Sequence, residues 1–188
     1  MEPVLLSSLW LPIVVAAVAV FFASYLAWMV LPHHRSDWSG LKNEEEVRSV
    51  LRGTTPGEYS LPHAATREAY KSEEWKAKCT EGPAALLTVI PSGPPKMGKS
   101  LVQWFIYCLV VSLFVAYVTS RAVPAGSEYL RVFQIAGTVA FLAYSAAHVS
   151  GAIWMGHRWS RALKDVLDGL VYGLLTAGIF GWLWPHAG

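Results

Sequence analysis

Four stretches of this chain carry almost no charge, and each is about as long as a bilayer is thick. Residues 11–31, 101–119 and 132–153 contain no Asp, Glu, Lys or Arg, and residues 166–184 contain only Asp168. They hold 21, 19, 22 and 19 residues. A helix needs about 20 predominantly apolar residues to cross a hydrocarbon layer about 30 Å thick, so each run can span. Helices buried in a soluble all-α protein would show a charged face at the helical period, and these runs show none. The expected fold is an all-α membrane protein, a four-transmembrane-helix bundle with a small α/β cytoplasmic loop domain. A composition 54% apolar and 15% charged, with nine tryptophans, agrees. The first run exceeds a signal-peptide h-region and follows Glu2 rather than a basic stretch, so the first helix is expected to stay attached.

These runs divide the chain into a first transmembrane helix (1–31), a loop domain (32–100) and transmembrane helices two to four (101–188). Lys and Arg close to a membrane remain cytoplasmic, which orients the bundle. Arg35, Lys42, Arg48, Lys96 and Lys99 flank the long loop, and Arg158, Arg161 and Lys164 lie between runs three and four. Only Arg121 and Arg131 stand on the other side. The loop is therefore expected in the cytoplasm and both termini outside. Trp10, Trp28, Trp104, Trp154, Trp182 and Trp184, near the ends of the runs, fit an interfacial aromatic belt.

Within the loop, Asn43 followed by Glu46 reads as a capping box, and Val47, Val50 and Leu51 give a short helix an apolar edge before Gly53. A second helix is expected over residues 67–79. Segments 58–61 and 84–90 have strand composition and could pair as a two-stranded ribbon. Cys79 and Cys108 offer neither a disulfide framework nor a paired-cysteine metal motif.

Gly93 to Ser100 matches the P-loop pattern GxxxxGK[ST], yet Pro94 and Pro95 remove two of the backbone N–H donors that such a loop needs. A loop this short also lacks the parallel sheet of a nucleotide hydrolase, so nucleotide binding is not expected. Lys96 and Lys99, at the start of the second helix, are placed instead for lipid phosphates. The basic residues form no stripe suited to nucleic acid.

Polar groups inside the runs carry the functional argument, because ionisable side chains are costly in a membrane. Tyr144 and His148 share a face of the third run, and Asp168, Tyr172 and Thr176 share a face of the fourth. A short connection makes these helices antiparallel neighbours, so His148 and Asp168 are expected to touch, as an interhelical clasp or as a proton or solute path. His33, His34 and Asp37 follow Pro32 and form a weak metal-ligand trio or an interfacial polar cluster. No other run contains a histidine to serve as a second axial ligand, so haem is not expected, and no cofactor is assigned. Gly169, Gly173, Ala177 and Gly181 form a groove of small residues, for packing this bundle or receiving a partner helix.

Gly82-Pro83 with Leu87-Thr88-Val89, Met97-Gly98-Lys99 leading into Trp104-Phe105, and Asp168-Gly169-Leu170 with Gly181-Trp182-Leu183-Trp184-Pro185 carry a further likeness. On these segments the chain resembles a family of uncharacterised four-span bacterial inner-membrane proteins, which implies a plasma-membrane location and supplies no catalytic residue. Three function classes follow in order of expectation. A non-enzymatic interaction or accessory subunit comes first, partnered by the bilayer and by another membrane protein or further copies of itself. An oligomeric transporter of a small solute, ion or proton is second, and a membrane-embedded enzyme third.

Overall fold

A computed structural model describes residues 4–186 and divides into two units, residues 1–38 with 96–188, and residues 39–95. The larger unit consists of helices. Helix α1, Leu6–Val30, opens with a 3-10 turn and closes with a π-helical turn over Leu26–Val30. Pro12 falls in the first turn of its α-helical body, where an absent N–H does no harm.

The smaller unit is built from short elements. Helix α2, Glu44–Val50, begins with three glutamates at its positive end. Asn43 bonds the Glu46 carboxylate at 2.9 Å rather than capping the backbone. Strands β1, Gly57–Leu61, and β2, Ala85–Val89, pair antiparallel with Tyr59 opposite Leu87. The single helix expected over 67–79 is two, α3 at Arg67–Lys71 and α4 at Glu73–Glu81. The break is at Ser72, whose extended backbone stops α3 while its hydroxyl accepts the Trp75 N–H at 3.1 Å and starts α4. Gly82, at φ 69°, ends α4 in the left-handed region that glycine adopts freely. The Trp75 indole donates to the Pro62 carbonyl at 3.4 Å, tying α4 to the residue after β1.

Three longer helices complete the larger unit: α5, Met97–Ala122, α6, Tyr129–Trp154, and α7, Trp159–Trp182. Among the described residues α1, α5 and α6 are long and apolar enough to cross a membrane. The expected fourth such helix, α7, has comparable length, but Arg161, Lys164, Asp165 and Asp168 occupy its first half and lower its apolarity. Its buried stripe of Ala162, Asp165, Gly169, Tyr172, Gly173, Thr176, Ala177 and Phe180 repeats at three and four residues, the spacing of one helix face.

Small residues set the closest approach in the bundle. A Cβ placed on Gly137 would meet Ala177, one on Gly173 would meet Phe141, and one on Gly169 would meet Ser145 and the Tyr144 backbone. These neighbours advance along α6 as they retreat along α7, so the pair is antiparallel. Gly181 meets the Tyr129 ring at the far end. The groove of Gly169, Gly173, Ala177 and Gly181 is thus covered by α6 of the same chain. Helix α1 packs on α5 and α7, with the Phe21 and Phe105 rings edge to face at 5.6 Å. The turn between α5 and α6 meets the end of α7, where Trp184 donates to the Pro124 carbonyl at 2.9 Å.

Candidate functional site

Polar chemistry collects where the C-terminal ends of α1 and α6 meet the N-terminal ends of α5 and α7. The π-helical turn closes with the Leu31 N–H donating to the Leu26 carbonyl, five residues back. Pro32 has no N–H to extend the helix, and the chain turns through Arg35 and Asp37, which bond the carbonyls of Pro32 and His34. That turn delivers both histidines to α7. His33 Nε2 lies 3.1 Å from Asp168 Oδ1, and His34 Nε2 lies 2.8 Å from Asp168 Oδ2. The other ring nitrogen of His34, Nδ1, is 2.6 Å from Asp37 Oδ2. Lys164 closes the network by donating to Asp37 at 2.6 Å, to Ser36 at 2.9 Å and to the His33 carbonyl.

Both Asp37 and His34 are well covered, their side chains 2% and 5% exposed. Burial alone would lower the His34 pKa, but the hydrogen bonds and charges of Asp168 and Asp37 outweigh it and hold the imidazole above its usual value. Burial likewise pushes the Asp37 carboxyl upward, and Lys164 followed by His34 reverses this and holds it below the usual range. Trp28, carried by the π-turn, stacks on His34 at 3.9 Å with the rings 7° from parallel.

Beside this network lies a cleft of about 460 Å³, mostly apolar, lined by Trp28, Trp104, Tyr144, His148, Asp165, Asp168 and Tyr172 among others. The Trp104 indole is held by Ser24 Oγ at 2.7 Å. The Tyr144 and Tyr172 hydroxyls are buried without a hydrogen-bond partner among the described residues, with the Cys108 thiol beside Tyr144. Their rings meet edge to face at 5.6 Å.

The four polar residues singled out in the third and fourth runs, Tyr144, His148, Asp168 and Tyr172, therefore share one cleft, but the expected bond between His148 and Asp168 is absent. His148 Nδ1 lies 3.2 Å from Asp165 Oδ2 instead, and Arg161 Nε approaches the same oxygen at 3.9 Å. The register explains it. Gly137 with Ala177, Phe141 with Gly173 and Ser145 with Gly169 step four residues on each helix, and the next step sets Val149 level with Asp165. Asp168 is a turn deeper, within reach of α1. The metal-ligand trio also changes membership. Asp37 stands behind His34, and Asp168 is the carboxylate that joins both histidines. Lys96 and Lys99 are exposed at the start of α5 and form no ion pair among the described residues. Asp165, Lys164 and Trp28 were not singled out as site residues in the sequence. Asp165 lies one position before the fourth apolar run, and only the interhelical register reveals its inward orientation. No family model, curated protein or solved structure matches the chain.

Proposed function

We propose that this chain is a multi-pass membrane protein that crosses the bilayer four times. In this reading residues 32–100 are cytoplasmic, both termini are outside, and the protein is a non-enzymatic accessory subunit holding a small amphipathic molecule in the cleft. Support for the fourth crossing comes from α7 itself. Leu163, Leu167, Leu170, Val171 and Leu174 face outward along it, an apolar surface that suits lipid. The imbalance of Lys and Arg supports the orientation. The resemblance noted in the sequence supports a bacterial inner membrane.

The observation that carries the ligand reading is the cleft, a mostly apolar aromatic wall with His148, Asp165 and Asp168 in its lining. Binding sites for small molecules combine a mostly apolar lining with a few convergent polar groups. Purification in mild detergent followed by mass spectrometry should recover a bound molecule in near-stoichiometric amount. Leu101→Trp, which fills the cleft from α5, should deplete it. Recovery of bulk lipid alone, unchanged by that substitution, would refute the reading.

A second reading, an oligomeric transporter of a small solute, ion or proton, is favoured by the ionisable wall of His148, Asp165 and Asp168. Proteoliposomes that carry a proton flux lost in Asp165→Asn would select it over the accessory role.

A further inference from the structure

At the junction of α1 and α7, two histidine nitrogens converge on one carboxylate. One donor atom from each of His33, His34 and Asp168 lies within 4.8 Å of the other two. The histidine-to-carboxylate separations are 3.1 Å and 2.8 Å. Around a tetrahedral ion with bonds of about 2.0–2.1 Å, neighbouring ligand atoms stand about 3.3 Å apart, comparable with each of these separations, although the two histidines face different oxygens of the carboxylate. We propose that His33, His34 and Asp168 bind a divalent transition cation of the zinc class, and that Asp37 and Lys164 position His34 for it.

The surroundings of His34 support this assignment. A metal-bound histidine characteristically gives its second ring N–H to a carboxylate, which fixes the tautomer and aims the other nitrogen at the ion. Here Nδ1 faces Asp37 at 2.6 Å, Asp37 is gripped by Lys164, and the Trp28 stack fixes the ring plane. Both nitrogens of His34 thus face carboxylate oxygens, and an ionised carboxylate has no hydrogen to donate. A proton on His34 or a bound cation can satisfy the contact between Nε2 and Asp168.

Two imidazoles and one carboxylate favour zinc, cobalt, nickel or copper over magnesium or calcium, which prefer all-oxygen sites. Three protein ligands leave a coordination position for water or another donor. The site requires nothing to be bound in the cleft, so it stands or falls apart from the ligand reading.

The test uses full-length protein without a polyhistidine tag, stripped of metal and held in detergent. Co2+ is added and visible absorption recorded, and Zn2+ binding is followed by calorimetry. The wild type should take up a single equivalent of Co2+, with d–d bands of a low-coordinate site, and Zn2+ should displace it. His34→Gln and Asp168→Asn should abolish the bands while eluting normally on gel filtration. Asp37→Asn should keep the stoichiometry and weaken binding about 10- to 100-fold, the usual effect of losing an outer carboxylate. Wild-type protein that gives no such bands would overturn the site. So would uptake that survives both His34→Gln and Asp168→Asn.

Discussion

Lys164 satisfies three acceptors with one ammonium, and one of them, the Asp37 carboxylate, is 2% exposed. Lys164→Ala should lower stability by about 2 kcal/mol, the scale of a lost hydrogen bond to a charged group. Asp37→Asn should also destabilise, but the double variant should lose less than the two separate losses combined, because both remove one interaction. Thermal unfolding in detergent measures the three variants, and strictly additive losses would show that the lysine acts elsewhere. Little of this was legible in the sequence, where Lys164 reads only as a charge that orients the bundle. Its partners in the turn after α1 lie more than 120 residues away, and no periodicity records which helices become neighbours. His33 and His34 were visible as a polar pair after a proline, yet the carboxylate they share depends on that same tertiary choice.

Helices α6 and α7 approach closely because glycine and alanine line their contact. A Cβ on Gly169 would run into Ser145 Oγ and stand 3.2 Å from the Tyr144 backbone, which cannot move aside as a side chain can. Gly169→Ala should therefore destabilise by about 1–3 kcal/mol through overpacking. Gly178→Ala, whose new carbon would find only the Tyr129 hydroxyl at 3.6 Å, should be nearly neutral. Equal melting temperatures for these two variants would contradict the assigned interface. The spacing of Gly169, Gly173 and Ala177 was enough to locate a groove before any coordinates. It could not say what fills it, and it left the register free, which is why depth alone paired His148 with Asp168. The ribbon of β1 and β2 was legible from β-branched and aromatic composition, whereas the break at Ser72 was not, since a serine inside a helical pattern signals a cap only once its backbone is known to be extended.

For the molecule as a whole, the proposed orientation makes a direct prediction. In a Cys79→Ser, Cys108→Ala background, a cysteine at Gly53 should react only after the cytoplasmic face is opened, and one at Gly126 should react in intact spheroplasts. Reversed accessibility would invert the topology. Charge-free length pointed to four spans; among the described residues three helices are long and apolar enough, and α7 falls short because charges occupy its first half. The α1–α7 junction also carries a consequence for biosynthesis. Asp168 is made more than 130 residues after His33. At bacterial and eukaryotic elongation rates of about 5–20 residues per second, α1 waits on the order of ten seconds for that carboxylate. During that interval its polar tip has none of its eventual partners on α7, so the cluster can close only when the last helix arrives. The junction therefore closes only after α7 has begun to emerge, and a nascent chain stalled before residue 164 would leave the two histidines accessible to a modifying reagent.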